Sequence, residues 1–234
     1  PGRGEEGFAG AWRRVIPFTL RQLCEWTGGR LVRGAPDLVV TGVSTDTRTL
    51  APGDCFIALV GERFDGHHFL VEAAKKGAAA VVVDRERASA RAALPETLGV
   101  VTVAETRAAL ADLARGYRLR FDVPVVAVTG SNGKTSTKEM IAAILGRLFP
   151  VVASEKNFNN EIGLPLTLFR LEPRHGAAVV EMGMRGEGEI AALARTAMPT
   201  VGVVTNVGPV HVERLGSIER VAAAKAELVE ALPA

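Results

Sequence analysis

The sequence has little cysteine, few aromatic residues, almost no net charge and no long apolar run, and each shortage narrows what the chain can be. Its two cysteines, Cys24 and Cys55, are far apart and outside any metal-type spacing, so reduced thiols in a cytoplasmic protein are expected. No stretch approaches the roughly 18 consecutive apolar residues of a membrane helix, so no membrane insertion is expected. Arg13 and Arg14 are not followed by the apolar segment of a signal peptide, and residues 1–14 read as a loose, glycine-rich leader. The formal charge of +2, despite a pI near 8.8, selects neither nucleic acid nor a membrane surface as partner.

What remains is a chain of 234 residues, 47% apolar and rich in Ala, Val, Leu and Gly, long enough for one large or two modest cores. One stretch organises it. Val125 to Thr129 reads as a buried strand, Gly130-Ser131-Asn132-Gly133 as a turn, and Lys134 to Leu148 as a helix with Met140, Ile141, Ile144, Leu145 and Leu148 on one side. A glycine loop at a helix N-terminus turns backbone N–H groups and the positive end of the helix dipole toward one point, which suits a phosphate. Gly130, Ser131, Asn132, Gly133, Lys134, Thr135 and Ser136 are therefore the candidate nucleotide-binding residues, with Lys134 reaching the outer phosphates and the Thr135 hydroxyl holding Mg2+. Only Ser131 and Asn132 separate the two glycines, where the standard phosphate loop has four residues, so the match is to a shortened form. A glycine-rich turn with a chance lysine is the alternative, and the order of strand, loop, Gly-Lys-Thr and helix weighs against it.

In the first half, Phe18 to Trp26 carries apolar residues at helical spacing, with Thr19 placed to cap and Gly28 to terminate. Leu38 to Val43, Cys55 to Val60, Ala79 to Val83 and Val100 to Val103 read as strands. Phe69 to Lys76 and Thr106 to Leu119 read as helices, the latter with Leu110, Leu113 and Tyr117 inward. The polar run Ser44-Thr45-Asp46-Thr47-Arg48 directly follows a strand and is either a solvated loop or a cradle for a phosphorylated or sugar ligand. His67 and His68 are adjacent and cannot face one way on a helix, so capping and packing are expected of them.

In the second half three strands end in polar residues: Val125–Thr129 in the glycine loop, Ala177–Val180 in Glu181-Met182-Gly183, and Val201–Val204 in Thr205-Asn206-Val207-Gly208. Helical segments follow each, which predicts a parallel α/β sheet with its ligand crevice beyond the carboxyl ends of the strands. Glu181 is placed for a magnesium carboxylate or for capping the helix from Gly188 to Ala197. His211 is a lone loop histidine, more often a surface residue than a ligand. Lys225 falls on the apolar stripe Ile218, Val221, Ala222, Leu228, Val229 and Leu232, where a lysine is costly unless paired, altered or snorkelling.

Thr129 to Thr135, Asn157-Phe158-Asn159-Asn160-Glu161-Ile162-Gly163-Leu164-Pro165, Glu181-Met182-Gly183 with Gly188-Glu189-Ile190, Thr205-Asn206-Val207-Gly208 with His211, and Ala224-Lys225-Ala226-Glu227 occur in one order. Together they resemble the Mur ligase family of peptidoglycan synthesis, and within it the branch that adds D-alanyl-D-alanine. Ser44 to Arg48, Pro52-Gly53-Asp54 and Asp65-Gly66-His67 resemble the UDP-sugar-binding domain of the same ligases.

The resemblance implies an α/β protein: a small N-terminal α/β UDP-sugar-binding domain over residues 15–122, then a parallel-sheet P-loop ATP-binding domain over 123–234. It implies an ATP-dependent peptide ligase joining D-alanyl-D-alanine to UDP-N-acetylmuramoyl-tripeptide through an acyl phosphate, a step of cell-wall biogenesis tied to cell shape and division. Lys134, Asn160, His211 and Lys225 would act in catalysis. Thr135 and Glu181 would hold one Mg2+, and His211 with a carbamylated Lys225 a second. Ser44, Asp46, Arg48, Asn159 and Asn160 would contact substrate. Family members run on for a comparable length, so the ATP-binding domain is expected to be incomplete at its C-terminal end and this chain alone to be inactive. A cytoplasmic monomer with no nucleic-acid partner is expected. The competing readings are a folylpolyglutamate synthetase of the same superfamily and a nucleotide-binding module without chemistry.

Overall fold

Thr19 divides the first two elements of the computed structural model, which describes residues 14–62, 64–87, 93–155, 157–210 and 212–233. Before it runs strand β1 (Arg14–Thr19), and after it helix α1 (Leu20–Thr27). The division is a reciprocal cap: Thr19 Oγ1 accepts from the Gln22 N–H, and Gln22 Oε1 from the Thr19 N–H. Gly28, at φ +64°, ends the helix in the left-handed conformation glycine tolerates. Phe18 therefore belongs to a strand, not to the helix expected there, and its buried ring lies 5.5 Å from that of Trp26. Of the expected leader, residues 1–13 lie outside the described residues and Arg14 opens β1.

The chain forms two compact units, the first ending at Leu113 and the second beginning at Ala114. In the first, β2 (Arg30–Arg33), β3 (Val39–Ser44), β4 (Asp54–Ile57), a 3-10 turn (Gly66–Phe69), α2 (Leu70–Lys75), β5 (Ala80–Asp84), β6 (Gly99–Val103) and the start of α3 (Thr106–Arg118) follow α1. The six strands form one sheet in the order β1-β3-β4-β5-β6-β2. β3 to β6 pair in parallel, and β1 and β2 close the edges antiparallel. The two edge strands are the ones not foreseen: Pro17 interrupts β1, and β2 has arginine at both ends, chemistry that edge strands accommodate and that masks a strand pattern. β4 and β6 are buried throughout, and Phe56, Leu70, Val81, Leu94 and Val100 pack in one core.

The second unit continues α3 and adds β7 (Val125–Thr129), α4 (Lys134–Leu145), β8 (Val151–Ala153), α5 (Gly163–Leu168), β9 (Ala177–Glu181), α6 (Glu189–Ala197), β10 (Val201–Val204), α7 (Val212–Leu215) and α8 (Ile218–Glu230). Its sheet is wholly parallel in the order β10-β7-β9-β8, so the tips of β7, β9 and β10 lie side by side as expected. β8, only three residues long, is the strand the sequence pattern did not show. Tyr117 is buried as expected, its hydroxyl donating to the Leu171 carbonyl.

Two apolar faces differ from expectation. α4 ends at Leu145, and Met140, Ile144 and Leu148 are 58%, 67% and 77% exposed. The stripe that meets the sheet is instead Lys138, Ile141, Ala142 and Leu145, at i, i+3, i+4 and i+7, with Ile141, Ala142 and Leu145 packed on Val126, Val128 and Val179. On α8, Ile218 and Val229 are exposed, while Val221, Ala224, Lys225 and Leu228 are buried. Among the described residues no helix is long and apolar enough to cross a membrane.

Candidate nucleotide-phosphate site

β7 delivers the chain into the glycine loop with five buried residues. Gly130, at φ +146°, lies so close to the tip of β10 that a Cβ there would come 1.9 Å from Thr205 Oγ1. Gly133, at φ +79°, is the N-cap of α4. Between the two glycines the loop is tied to β10's extension: the Ser131 N–H donates to the Asn206 carbonyl, the Asn132 N–H to Asn206 Oδ1, and Thr205 Oγ1 to the Asn132 carbonyl. Ser131 Oγ and Gly208 are joined in both directions, the hydroxyl donating at 3.1 Å and accepting at 2.8 Å. The Thr205-Asn206-Val207-Gly208 run is thus the brace that fixes the loop. The first-turn N–H groups of α4 have no partner within the helix by construction and point out of its N-terminus.

Lys134 folds back over this loop, its Nζ donating to the carbonyls of Gly130 at 2.8 Å and Ser131 at 3.3 Å. One residue on, Thr135 Oγ1 donates to Glu181 Oε2 at 2.8 Å, and the other carboxylate oxygen accepts from Asn159 Nδ2 at 2.9 Å. Asn159 in turn accepts the Gly183 N–H on its carbonyl. Asn160 Oδ1 accepts from the N–H groups of Ile162 and Gly163 and so starts α5, which leaves the amide nitrogen as the end of the side chain able to donate elsewhere.

Gly130, Ser131, Lys134, Asn159, Asn160 and Lys225 line one cavity of about 310 Å3. Asn132, Gly133, Thr135, Ser136 and Glu181 do not line it; Thr135 and Glu181 are linked to it through the bond from Asn159 to Glu181. Lys225 is 2% exposed and its amine is pushed down to about 8, first by burial and then by the positive charge of Lys134. His211 lies outside the described residues.

The oxygen pair of Thr135 and Glu181 suits a hard cation. A magnesium ion is bound through one or two protein oxygens while phosphates and water complete its shell, and that is the donor set on offer here. No group of three or more His, Cys, Asp or Glu residues gathers for a metal among the described residues.

Glu227, read only as the end of the Ala224-Lys225-Ala226-Glu227 run, had no role assigned from the sequence. From α8 its carboxylate accepts the N–H of Gly188 at 2.6 Å and of Ala191 at 2.9 Å, capping α6, the role weighed for Glu181. Arg185, Met184 and Glu161 also line the cavity, none of them with a role assigned from the sequence.

In the first unit, Ser44, Asp46 and Arg48 do come together. Ser44 Oγ bonds both main-chain groups of Asp46, and the Arg48 guanidinium grips the Asp46 carboxylate, with Nη2 at 2.6 Å from Oδ2. That hydrogen bond holds the Asp46 carboxyl below its usual range. Arg48 is 86% exposed in its side chain, held by its own loop and open to solvent. His67 packs as expected, buried between Asp65, at 2.7 Å from its Nδ1, and the Asp84 N–H, which donates to its Nε2, but the cap of the turn is Asp65, which accepts the His67 N–H, and His68 is exposed.

A parallel sheet whose glycine loop opens into a helix beginning Lys-Thr, with a carboxylate on the neighbouring strand tip, defines the phosphate-loop class of α/β protein. Within that class the chain belongs to the Mur ligase family. Residues 128–234 match the Mur ligase middle domain, and residues 39–118 match the domain described as Mur ligase family, catalytic domain. The chain is 48% identical over 197 residues to the UDP-N-acetylmuramoyl-tripeptide--D-alanyl-D-alanine ligase of Synechocystis, covering 84% of this chain and 42% of that one. In structure it is similar to MurF from Acinetobacter baumannii, with a TM-score of 0.85 and 33% identity over 94% of this chain and 48% of that one. MurF ligase from Thermotoga maritima in complex with ADP aligns with a TM-score of 0.73 and 35% identity, over 81% of this chain and 43% of that one. The chain thus spans less than half the length of these relatives.

Proposed function

We propose that the chain supplies the nucleotide-sugar-binding and ATP-binding parts of a cytoplasmic, ATP-dependent ligase that joins D-alanyl-D-alanine to UDP-N-acetylmuramoyl-tripeptide in peptidoglycan synthesis. The observation that carries this reading is the Thr135–Glu181 oxygen pair set beside Lys134 and the glycine loop. The names of the relatives support the substrates. The UDP-sugar-binding domain is assigned to residues 15–122 and the ATP-binding domain to 123–234.

In this reading Gly130 to Ser136 hold the ATP phosphates. Lys134 leaves its loop carbonyls for the outer phosphates, and the first-turn N–H groups of α4 take the negative charge that develops on them. Thr135 and Glu181 hold one magnesium ion, which when bound neutralises phosphate charge. A carboxylate oxygen of the tripeptide attacks the γ-phosphorus, ADP departs, and an acyl phosphate is left. The dipeptide amine then attacks the acyl carbon, releasing inorganic phosphate and a proton. Asn160, its Oδ1 fixed on α5, offers its amide nitrogen to the transferred phosphoryl group. Lys225 is a buried amine able to lose its proton near neutrality; adding its lone pair to carbon dioxide, with loss of a second proton from the nitrogen, gives a carbamate anion. That anion and His211 would then serve a second magnesium. Ser44, Asp46 and Arg48 hold the UDP-sugar, with Asn159 orienting Glu181 beside the substrate.

Calorimetric titration of the chain with UDP-N-acetylmuramoyl-tripeptide and, separately, a folylpolyglutamate tests the assignment. Binding of the UDP-linked peptide alone is expected. Binding of the folate alone would move the protein to the folylpolyglutamate synthetases.

A further inference from the structure

Lys138 is fully buried on α4, one turn beyond Lys134. Its Nζ donates to the main-chain carbonyl of Ser154 at 2.5 Å and sits 2.7 Å from the carboxylate of Glu139, which is 65% exposed. A buried ammonium is costly, and near a helix N-terminus it also opposes the dipole. For packing alone, methionine would fill the same space more cheaply, so the donor itself is what calls for explanation.

Ser154, the residue after β8, is held at three atoms. Its carbonyl accepts from Lys138, its N–H donates to the Val179 carbonyl at 3.0 Å, and its Oγ accepts from the Glu181 N–H at 3.1 Å. Thr135 and Lys138 are three residues apart on α4 and therefore share a face. Both reach the tip of β9: Thr135 directly, by its bond to the Glu181 carboxylate, and Lys138 through Ser154, by the Glu181 main chain.

We propose that Lys138 is a positioning residue of the metal–phosphate site: by clamping Ser154 it fixes the Glu181 main chain against α4 and so sets the Thr135–Glu181 oxygen pair for magnesium. The inference rests on the reading of Glu181 as a magnesium carboxylate. Lys138 touches neither metal nor nucleotide. Its signature is therefore a change in how much magnesium strengthens ATP binding, rather than in ATP binding as such. Losses of this indirect kind in metal sites run at about 10- to 100-fold.

The test is calorimetric titration of ATP into the chain with and without Mg2+, for the unaltered protein and for Lys138→Met, Ser154→Ala and Glu181→Gln. Ser154→Ala removes the hydroxyl that meets Glu181 and leaves the carbonyl that Lys138 uses, so it decides the matter if Lys138→Met does not fold. The magnesium-dependent gain in affinity is expected to fall about tenfold in Lys138→Met and Ser154→Ala, with metal-free affinity moving by less than about twofold. A full gain in folded Lys138→Met or in Ser154→Ala, alongside a gain lost in Glu181→Gln, would overturn the role of Lys138 and leave the magnesium reading standing. A fall in both affinities together would make Lys138 a purely structural residue and also overturn it. A gain retained in Glu181→Gln would remove the magnesium reading itself, and this inference with it.

Discussion

Thr135 Oγ1 donates to Glu181 Oε2 across 2.8 Å, joining the first turn of α4 to the tip of β9 through two residues 46 positions apart in sequence. Replacing Thr135 by valine keeps the shape and removes the oxygen. Affinity for ATP in the presence of Mg2+ is expected to fall about tenfold, as for the loss of one hydrogen bond to a charged group. Thr135→Ser is expected to retain it, and titration of both variants checks the pair.

Gly130 and Gly133 both have positive φ, but for substitution they are unequal. At Gly130 an added Cβ would strike Thr205 Oγ1, whereas at Gly133 it meets nothing within 4 Å. Gly133→Ala is expected to cost about 1 kcal/mol, the left-handed penalty alone. Gly130→Ala is expected to cost more than about 3 kcal/mol, because the Thr205 brace must move as well. Urea unfolding of the two variants gives the comparison.

Lys225 carries the clearest pH dependence. Burial holds its amine at about 8, so it is half deprotonated there, while exposed lysines remain charged. Acylation at limiting reagent, mapped by mass spectrometry, is expected to label Lys225 with a midpoint near pH 8 and ahead of surface lysines. The sign for stability follows from the lowered value. Above about pH 8 and up to the ordinary lysine value of 10.5, the unfolded chain binds more protons than the folded one, so stability from this group rises with pH. Below about pH 8 both forms are protonated and the burial penalty is fully present.

Glu227 ties α8, the helix of Lys225, to the start of α6. Glu227→Ala is expected to cost about 1–2 kcal/mol, the range of a lost N-cap, measured by denaturant unfolding. Glu227→Gln keeps one acceptor and is expected to lose less.

Arg48 is mostly exposed and pairs with Asp46 in its own loop. Exposed pairs contribute little to stability, so Arg48→Ala is expected to leave the melting temperature nearly unchanged. If the loop holds the UDP-sugar, affinity for UDP-N-acetylmuramoyl-tripeptide falls about tenfold in the same variant, as for a lost charge-assisted bond.

The sequence makes the parallel strands and the glycine loop legible because both leave local marks: buried valine runs, and glycines where a helix begins with lysine. Edge strands leave weaker ones. β1 carries Pro17 and β2 is flanked by arginines, so neither alternates clearly. Lys225 was found because a charge interrupted an apolar stripe. Lys138 does the same on α4, but Met140, Ile144 and Leu148 made a more obvious stripe on the face turned to solvent. Long-range caps such as Glu227 on α6 depend on helix packing that no local pattern encodes. The same holds for the Asn206 brace on the glycine loop.

The central claim is that the loop from Gly130 to Ser136 binds the phosphates of ATP. Titration of ATP with Mg2+ into the chain and into Lys134→Ala tests it most directly. Saturable one-to-one binding, weakened at least about tenfold by the substitution, is the predicted result. Equal affinity in the two proteins would contradict it.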